Sequence, residues 1–365
     1  MASSIQIGGQ PVVRLTAPGG EGEGFVSAEL LPGRGLMTLQ IRARTERLAE
    51  FDLLDSPSPE EAARRLDGGP EDLAGSRAFS FGGALLIPYA NRIRGRLSPD
   101  GRSIEAEVLG RKVQLPANWG GKRPGAERYA MHGLILDAAV EDWRVQRDGD
   151  AEILTARLEA GDFGGRWGSC CRLDFRIALS RESFSLRIEA TNTGPDLLPI
   201  GVGWHPWFAL PSGRRDRVRM TLPAASRALV NDYDEVLPTG EIEPVTGTPY
   251  DFREGRELGG LYLDDCFTDL QRTEGAVQLV FEDPAAGYAL SLRTRSKAIK
   301  AVQVYAPPDR PVLVIEPQFN LANPFGPEWR GRDTGMAVLQ PGGAVAYDVE
   351  LALRRTSGAN AVPPR

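Results

Sequence analysis

Histidine is nearly absent from this chain: 365 residues carry two, His132 and His205. Imidazole chemistry near neutral pH must pass through those two positions, because histidine is the side chain whose unperturbed pKa lies there. Cysteine is almost as scarce. Cys170, Cys171 and Cys266 are an odd count with two adjacent, which excludes a simple disulfide framework and matches no zinc-ligand spacing. Free thiols of a cytoplasmic protein are the expectation. No apolar run approaches the roughly 18 residues of a membrane span. The opening Met1–Gly9 lacks the basic and apolar regions of a secretory signal, which again suits a cytoplasmic location. Positive charge is not in excess either. A net charge of −6 argues against nucleic acid or an anionic membrane as partner. Lysine is confined to Lys112, Lys122, Lys297 and Lys300, a bias towards arginine that reads first as compositional. Metalloprotease helix, nucleophile elbow, Walker loop and dinucleotide fingerprint are all missing.

What is present is alternation. Leu173, Phe175, Ile177 and Leu179 alternate with polar or small residues, as do Phe184, Leu186, Ile188 and Ala190, and Val345, Tyr347, Val349, Leu351 and Leu353. A period of two describes strands with one buried face. Similar runs fall at 25–31, 36–43, 104–115, 152–159, 276–281, 288–294, 299–305 and 311–316. Turn signals such as Pro99-Asp100-Gly101, Asp148-Gly149-Asp150 and Pro341-Gly342-Gly343 separate them. One helix start stands out at Ser58-Pro59-Glu60-Glu61, with Ser58 as N-cap, Pro59 at the first helical position and Glu61 completing a capping box. The pattern predicts an all-β protein: a large antiparallel β-sandwich with few short helices, one domain over residues 1–355 and a mobile tail at 356–365.

Several segments carry candidate chemistry. Asn91-Arg92 follows a strand-like apolar stretch and offers donors suited to sugar hydroxyls or a ring oxygen; a solvated strand end is the plain alternative. In Leu313-Val314-Ile315-Glu316-Pro317-Gln318 a carboxylate ends a buried run, where desolvation raises its pKa and a general base is useful. Asp264-Asp265 follows Leu261-Tyr262-Leu263. Adjacent residues of a strand face opposite ways, so at most one of the two acids faces a common site. Trp119, Trp143, Trp204, Trp207 and Trp329 lie near these segments and supply flat apolar faces, although buried tryptophan more often fills core. His132 precedes Gly133, and His205 stands in Gly203-Trp204-His205-Pro206-Trp207-Phe208.

Taken in order, Asn91-Arg92, His132-Gly133, His205-Pro206-Trp207-Phe208, Asp264-Asp265-Cys266-Phe267 and Ile315-Glu316-Pro317-Gln318 resemble the aldose 1-epimerase (galactose mutarotase-like) family, from about Gly35 to Leu353. The resemblance implies the family's large galactose mutarotase-like β-sandwich. It also implies interconversion of the anomers of a free aldose by acid/base ring opening and closure, a reaction that needs neither metal nor organic cofactor. Mapped onto matching positions, Glu316 is the base, His205 the acid and His132 an aid at the ring oxygen. Asn91, Arg92 and Asp264 hold substrate oxygens, with Trp207 and Gln318 completing the binding set. Glu316 and His205 are expected on opposite sides of a sugar-sized space.

The sequence departs from the family in having Leu134 after His-Gly, Trp204 before the second histidine and Pro206-Trp207 after it. These changes bear on the pocket wall and not on the acid and base. Two alternatives stand beside the epimerase: a hexose-6-phosphate epimerase in which Arg94 and Arg96 meet a phosphate, and a sugar-binding or sensing module without catalysis. An acid and a base retained together favour catalysis.

Overall fold

A computed structural model describes residues 5–20 and 22–355, with the side chain of Arg355 excepted. The tail expected at 356–365 lies outside the described residues. Strands dominate and pair antiparallel into two large sheets. One has nine strands, running in space from Asp142–Asp148 through Ala151–Gly161, Cys171–Ser180, Ser183–Asn192, Ala344–Arg355, Tyr288–Thr294, Val277–Asp283 and Arg219–Thr221 to Arg256–Glu257. The other has eleven. Its middle runs Leu263–Leu270, Ala301–Ala306, Val312–Gln318, Gly203–Ala209, Gly83–Leu86 and Met37–Arg44. No helix among the described residues is long and apolar enough to cross a membrane.

The alternation seen in the sequence is the packing code of the sandwich. Phe184, Leu186 and Ile188 pair in register with Leu179, Ile177 and Phe175 on one side and with Leu351, Val349 and Tyr347 on the other. All are buried, in one core with Leu15, Phe25, Ala28 and Ile41 of the larger sheet. Each such side chain contributes about 1.5–3 kcal/mol when fully withdrawn from water. The larger sheet is buried on both faces over its middle strands. One face joins the core through Trp204, Phe208, Val302, Val304, Leu313 and Ile315. The opposite face carries His205, Trp207, Gln303, Tyr305, Val314 and Glu316.

Two expectations need correction. The run 104–115 is not one strand but a hairpin, Ser103–Val108 paired with Arg111–Pro116. Leu109 and Gly110 both take positive φ, 48° and 78°, as a two-residue type I′ loop requires. Leucine seldom occupies that conformation, so the turn is silent in the sequence. The helix Pro59–Arg65 begins as expected, with the Ser58 hydroxyl accepting from the Glu61 amide at 3.3 Å. The Glu61 carboxylate turns forward to Arg65 instead of back to Ser58, so only half of the capping box forms.

A kinked 3-10 stretch, Pro70–Ser80, leads from this helix towards the outer face of the larger sheet. A buried ion pair fixes it: Arg34 donates to Asp72 at 2.7 Å, and Asp72 also accepts from the amides of Gly68 and Arg77. Removing one partner of such a pair typically costs about 3–5 kcal/mol. Its end delivers Phe79 and Ser80 to a cavity.

Candidate active site

That cavity, about 330 Å³, sits on the outer face of the larger sheet. Ligand pockets run from roughly 300 to 1,000 Å³, so it has room for a small ring. Strand register builds its floor. Gly203 pairs with Gln318 and Trp207 with Val314, which sets His205 across from Glu316. The ladder is interrupted between those pairs, where Pro206 and Pro317 stand without N–H groups to donate. On the other side of Glu316, Gln303 is its direct partner. Asp264 projects from the strand beyond.

His205 Nε2 lies 3.4 Å from Glu316 Oε1, with both side chains almost wholly buried. They are neighbours, not opposite walls as expected. Strand pairing explains why: the register of Gly203 with Gln318 and Trp207 with Val314 puts the two side chains next to each other on one face. Desolvation lowers the His205 pKa to about 4 and, with Asp264 nearby, raises that of Glu316 well above the usual carboxylate range, Arg92 opposing. Burial penalises both charged forms. Among the described residues, His205 Nδ1 and Glu316 Oε2 have no hydrogen-bond partner.

His132 joins them from the end of the strand Arg128–Met131, its ring edge-on to His205 at 4.9 Å and against Phe79 at 4.8 Å. Its backbone is left-handed, φ 62°, and Gly133 follows at φ 89°. A Cβ on Gly133 would lie 2.2 Å from the Ile87 carbonyl oxygen, which is why glycine follows this histidine. Ligand atoms of His132, His205 and Glu316 fall within 4.8 Å of one another, a separation a metal ion could bridge. The donor chemistry does not fit. His132 Nδ1 accepts the Asn91 amide hydrogen at 3.2 Å, whereas a ligating histidine gives its second N–H away.

Asn91 Nδ2 donates to Gln303 Oε1 at 3.1 Å, and Gln303 Nε2 donates to Asp264 Oδ1 at 2.7 Å. Desolvation lifts the Asp264 pKa to about 6, with Arg92 opposing it and Asp265 adding to it. Asp265 faces away, held by Arg227 and by the Tyr233 hydroxyl, so the two acids part as strand geometry requires. Arg92 is buried and not a solvated strand end; it donates to the Val236 carbonyl at 2.6 Å and leaves Nε unpartnered. Trp207 stacks on His205, 28° between planes, and anchors its indole N–H on the Phe79 carbonyl at 2.9 Å.

The structure therefore brings Asn91, Arg92, His132, His205, Trp207, Asp264 and Glu316 to one cavity. Gln318 is not among its lining residues. It shares the face of Glu316 but is fully buried, and its amide donates to the Asn320 carbonyl at 2.8 Å. Of the tryptophans, Trp119 and Trp207 line the cavity; Trp204 stacks on Phe184 in the core and Trp329 packs in a small separate cluster. Sequence reasoning missed Gln303, Tyr305, Tyr262, Phe79, Lys122 and Arg310. For Gln303 a signal exists, a lone amide inside Ala301-Val302-Gln303-Val304.

The sequence profile of the aldose 1-epimerase family matches residues 61–351. The chain belongs to the aldose 1-epimerase family. Among individual proteins, Escherichia coli YphB is 24% identical over 218 residues, a match spanning 58% of this chain and 62% of YphB. The fold of this family member is shared with solved structures. A galactose mutarotase-like protein from Clostridium acetobutylicum superposes with a TM-score of 0.72 at 18% identity, covering 96% of this chain and 97% of that one. The GalM/aldose epimerase homologue from C. elegans gives 0.68 at 18% identity, covering 95% and 99%. Galactose 1-epimerase from Lactobacillus acidophilus gives 0.66 at 18% identity, covering 95% and 96%. At these identities the likeness carries fold alone.

Proposed function

We propose that this aldose 1-epimerase family member is a mutarotase that interconverts the α and β anomers of a free, uncharged aldose. The observation that carries the reading is the contact between Glu316 and His205, a buried acid and base 3.4 Å apart on adjacent strands. Glu316 as carboxylate takes the proton of the anomeric hydroxyl. The freed electron pair forms the C1=O double bond as the bond from C1 to the ring oxygen breaks, and imidazolium His205 protonates that oxygen. The open aldehyde turns about C1–C2 and recloses with the proton transfers reversed. The ion pair accompanies the closed sugar and the neutral pair accompanies the aldehyde. One proton passed from Glu316 to His205 converts a neutral pair into the ion pair without uptake from solvent. Contacts of this kind tighten when substrate excludes water. Asn91, Arg92 and Asp264 hold sugar oxygens, and Trp207 offers an apolar face. A metal has no part, consistent with the acceptor bond at His132 Nδ1.

Charge balance favours a neutral sugar over a phosphorylated one. Arg94 is bound by Glu127 through two contacts at 2.9 and 2.7 Å, and Arg96 pairs with Glu105; neither lines the cavity. Its lining carries Arg92, Lys122 and Arg310 beside Asp234, Glu235, Asp264 and Glu316, so positive charge is not in excess there. Polarimetry or NMR of freshly dissolved α-anomers, across free and phosphorylated aldoses, tests the proposal. Acceleration is expected with at least one free aldose and none with its 6-phosphate. No acceleration by any sugar removes the epimerase reading and leaves a binding module.

A further inference from the structure

The connection between the paired strands Ala224–Val230 and Pro238–Pro244 borders the cavity and contributes Tyr233, Asp234, Glu235 and Val236 to its lining. It is tied within itself. Asp232 Oδ1 accepts the amides of Asp234 and Glu235 at 2.9 and 2.8 Å, and Asn231 Oδ1 accepts that of Leu237 at 2.8 Å. Val236 stands at φ 56°, where a β-branched residue is an outlier that persists only when its surroundings hold it. Its carbonyl is the one that accepts from Arg92, at 2.6 Å. The Glu235 carbonyl before it accepts from the Tyr129 hydroxyl at 3.3 Å.

The same segment is fastened elsewhere through Tyr233. The residue is 37% exposed, yet its hydroxyl reaches both carboxylate oxygens of Asp265, at 3.1 and 3.0 Å, and Asp265 is 1% exposed. A phenol has one hydrogen. Given to Asp265, it leaves the Tyr233 oxygen to accept from the Tyr250 hydroxyl, 3.2 Å away. Arg227 and the Asp264 amide also donate to Asp265, so the carboxylate is itself firmly held.

We infer that the hydrogen bond from Tyr233 to Asp265 positions Arg92 for the sugar, by holding the segment whose Val236 carbonyl fixes the guanidinium. This rests on the mutarotase reading. Without that anchor, Val236 is released to relax from its left-handed conformation, and its carbonyl leaves Arg92. The adjacent acids thus serve one ligand by different routes. Asp264 faces the sugar; Asp265 is a positioning residue that acts through Tyr233 and Val236.

Hydrogen exchange of the ligand-free protein gives the first test. Tyr233→Phe keeps the ring and removes the hydroxyl, so the amides of Val236 and Leu237 are expected to exchange faster by about tenfold or more, the worth of a hydrogen bond to a charged group. Tyr250→Phe spares the contact with Asp265 and is expected to stay within about twofold of wild type. Unchanged exchange in Tyr233→Phe, or an equal rise in Tyr250→Phe, overturns the inference. The second test is a double-mutant cycle on mutarotation of the aldose selected by the polarimetric panel. Tyr233→Phe is expected to lower kcat/KM by about 3–10-fold, mainly through KM, because Arg92 holds the sugar both before and during ring opening. In an Arg92→Met background the same change is expected to cost less than about twofold. Equal losses in the two backgrounds show Tyr233 acting independently of Arg92 and overturn the inference. Failure of the panel itself would instead remove the mutarotase reading and leave the exchange result standing.

Discussion

Replacing Glu316 by glutamine separates its chemistry from its packing. The side chain keeps its shape in a site where Glu316 is 2% exposed, but it can no longer take a proton. Loss of one general base removes about 10²–10⁴ in rate, or about 2.7–5.4 kcal/mol of transition-state stabilisation. Polarimetry should therefore show mutarotation reduced by at least a hundredfold at pH 7, with circular dichroism unchanged. Stability adds an independent reading. The folded-state pKa of Glu316 is raised above its unfolded value, so above the unfolded pKa the native state binds more protons than the unfolded chain. Stability from this group is therefore full below the unfolded pKa and falls as pH rises towards the folded one, by about 1.4 kcal/mol per pH unit between them. Glutamine has no such term. Urea denaturation at pH 5 and pH 8 should show Glu316→Gln gaining on wild type at the higher pH. A variant with wild-type turnover would refute the base assignment. A variant whose stability tracks wild type at both pH values would refute the buried neutral carboxyl.

Two further outcomes follow from the geometry. The profile of kcat/KM against pH should be bell-shaped, with an acid limb near pH 4, where His205 gains a second proton, and an alkaline limb where the pair loses its shared proton; an acid limb near the ordinary histidine value would contradict the desolvated imidazole. Gly133→Ala places a Cβ 2.2 Å from the Ile87 carbonyl oxygen at a φ of 89°, so chemical denaturation should show a loss of about 2–4 kcal/mol, and a loss below 0.5 kcal/mol would mean that the His132 turn is not tightly packed.

Much of the fold was legible because alternation reports directly on a sheet with one buried face, as in Phe184, Leu186 and Ile188. It failed at Leu109-Gly110, where backbone conformation and not hydropathy makes the turn. Within the site, Glu316 was legible because a carboxylate closing Leu313-Val314-Ile315 conflicts with its surroundings, and that conflict is the raised pKa. Asp264 and Asp265 were separable by strand geometry once either was known to face a cavity. The placement of Gln318 was not, since residues two apart share a face whether or not the cavity extends that far. Nor was the adjacency of His205 and Glu316, which lie 111 positions apart and meet only through the pairing of Gly203 with Gln318 and Trp207 with Val314.

That pairing has a consequence for how such a protein can diversify. The spacing of His205 and Glu316 is set by strand pairing in the interior of an eleven-stranded sheet, while part of the cavity lining comes from outside that sheet, at Lys122 and Tyr233–Val236. Insertions and exchanges in those segments leave the strand register untouched. If the mutarotase proposal holds, sugar preference and proton chemistry are under separate mutational control, and a relative's rim grafted onto this floor changes specificity without changing the spacing of His205 and Glu316.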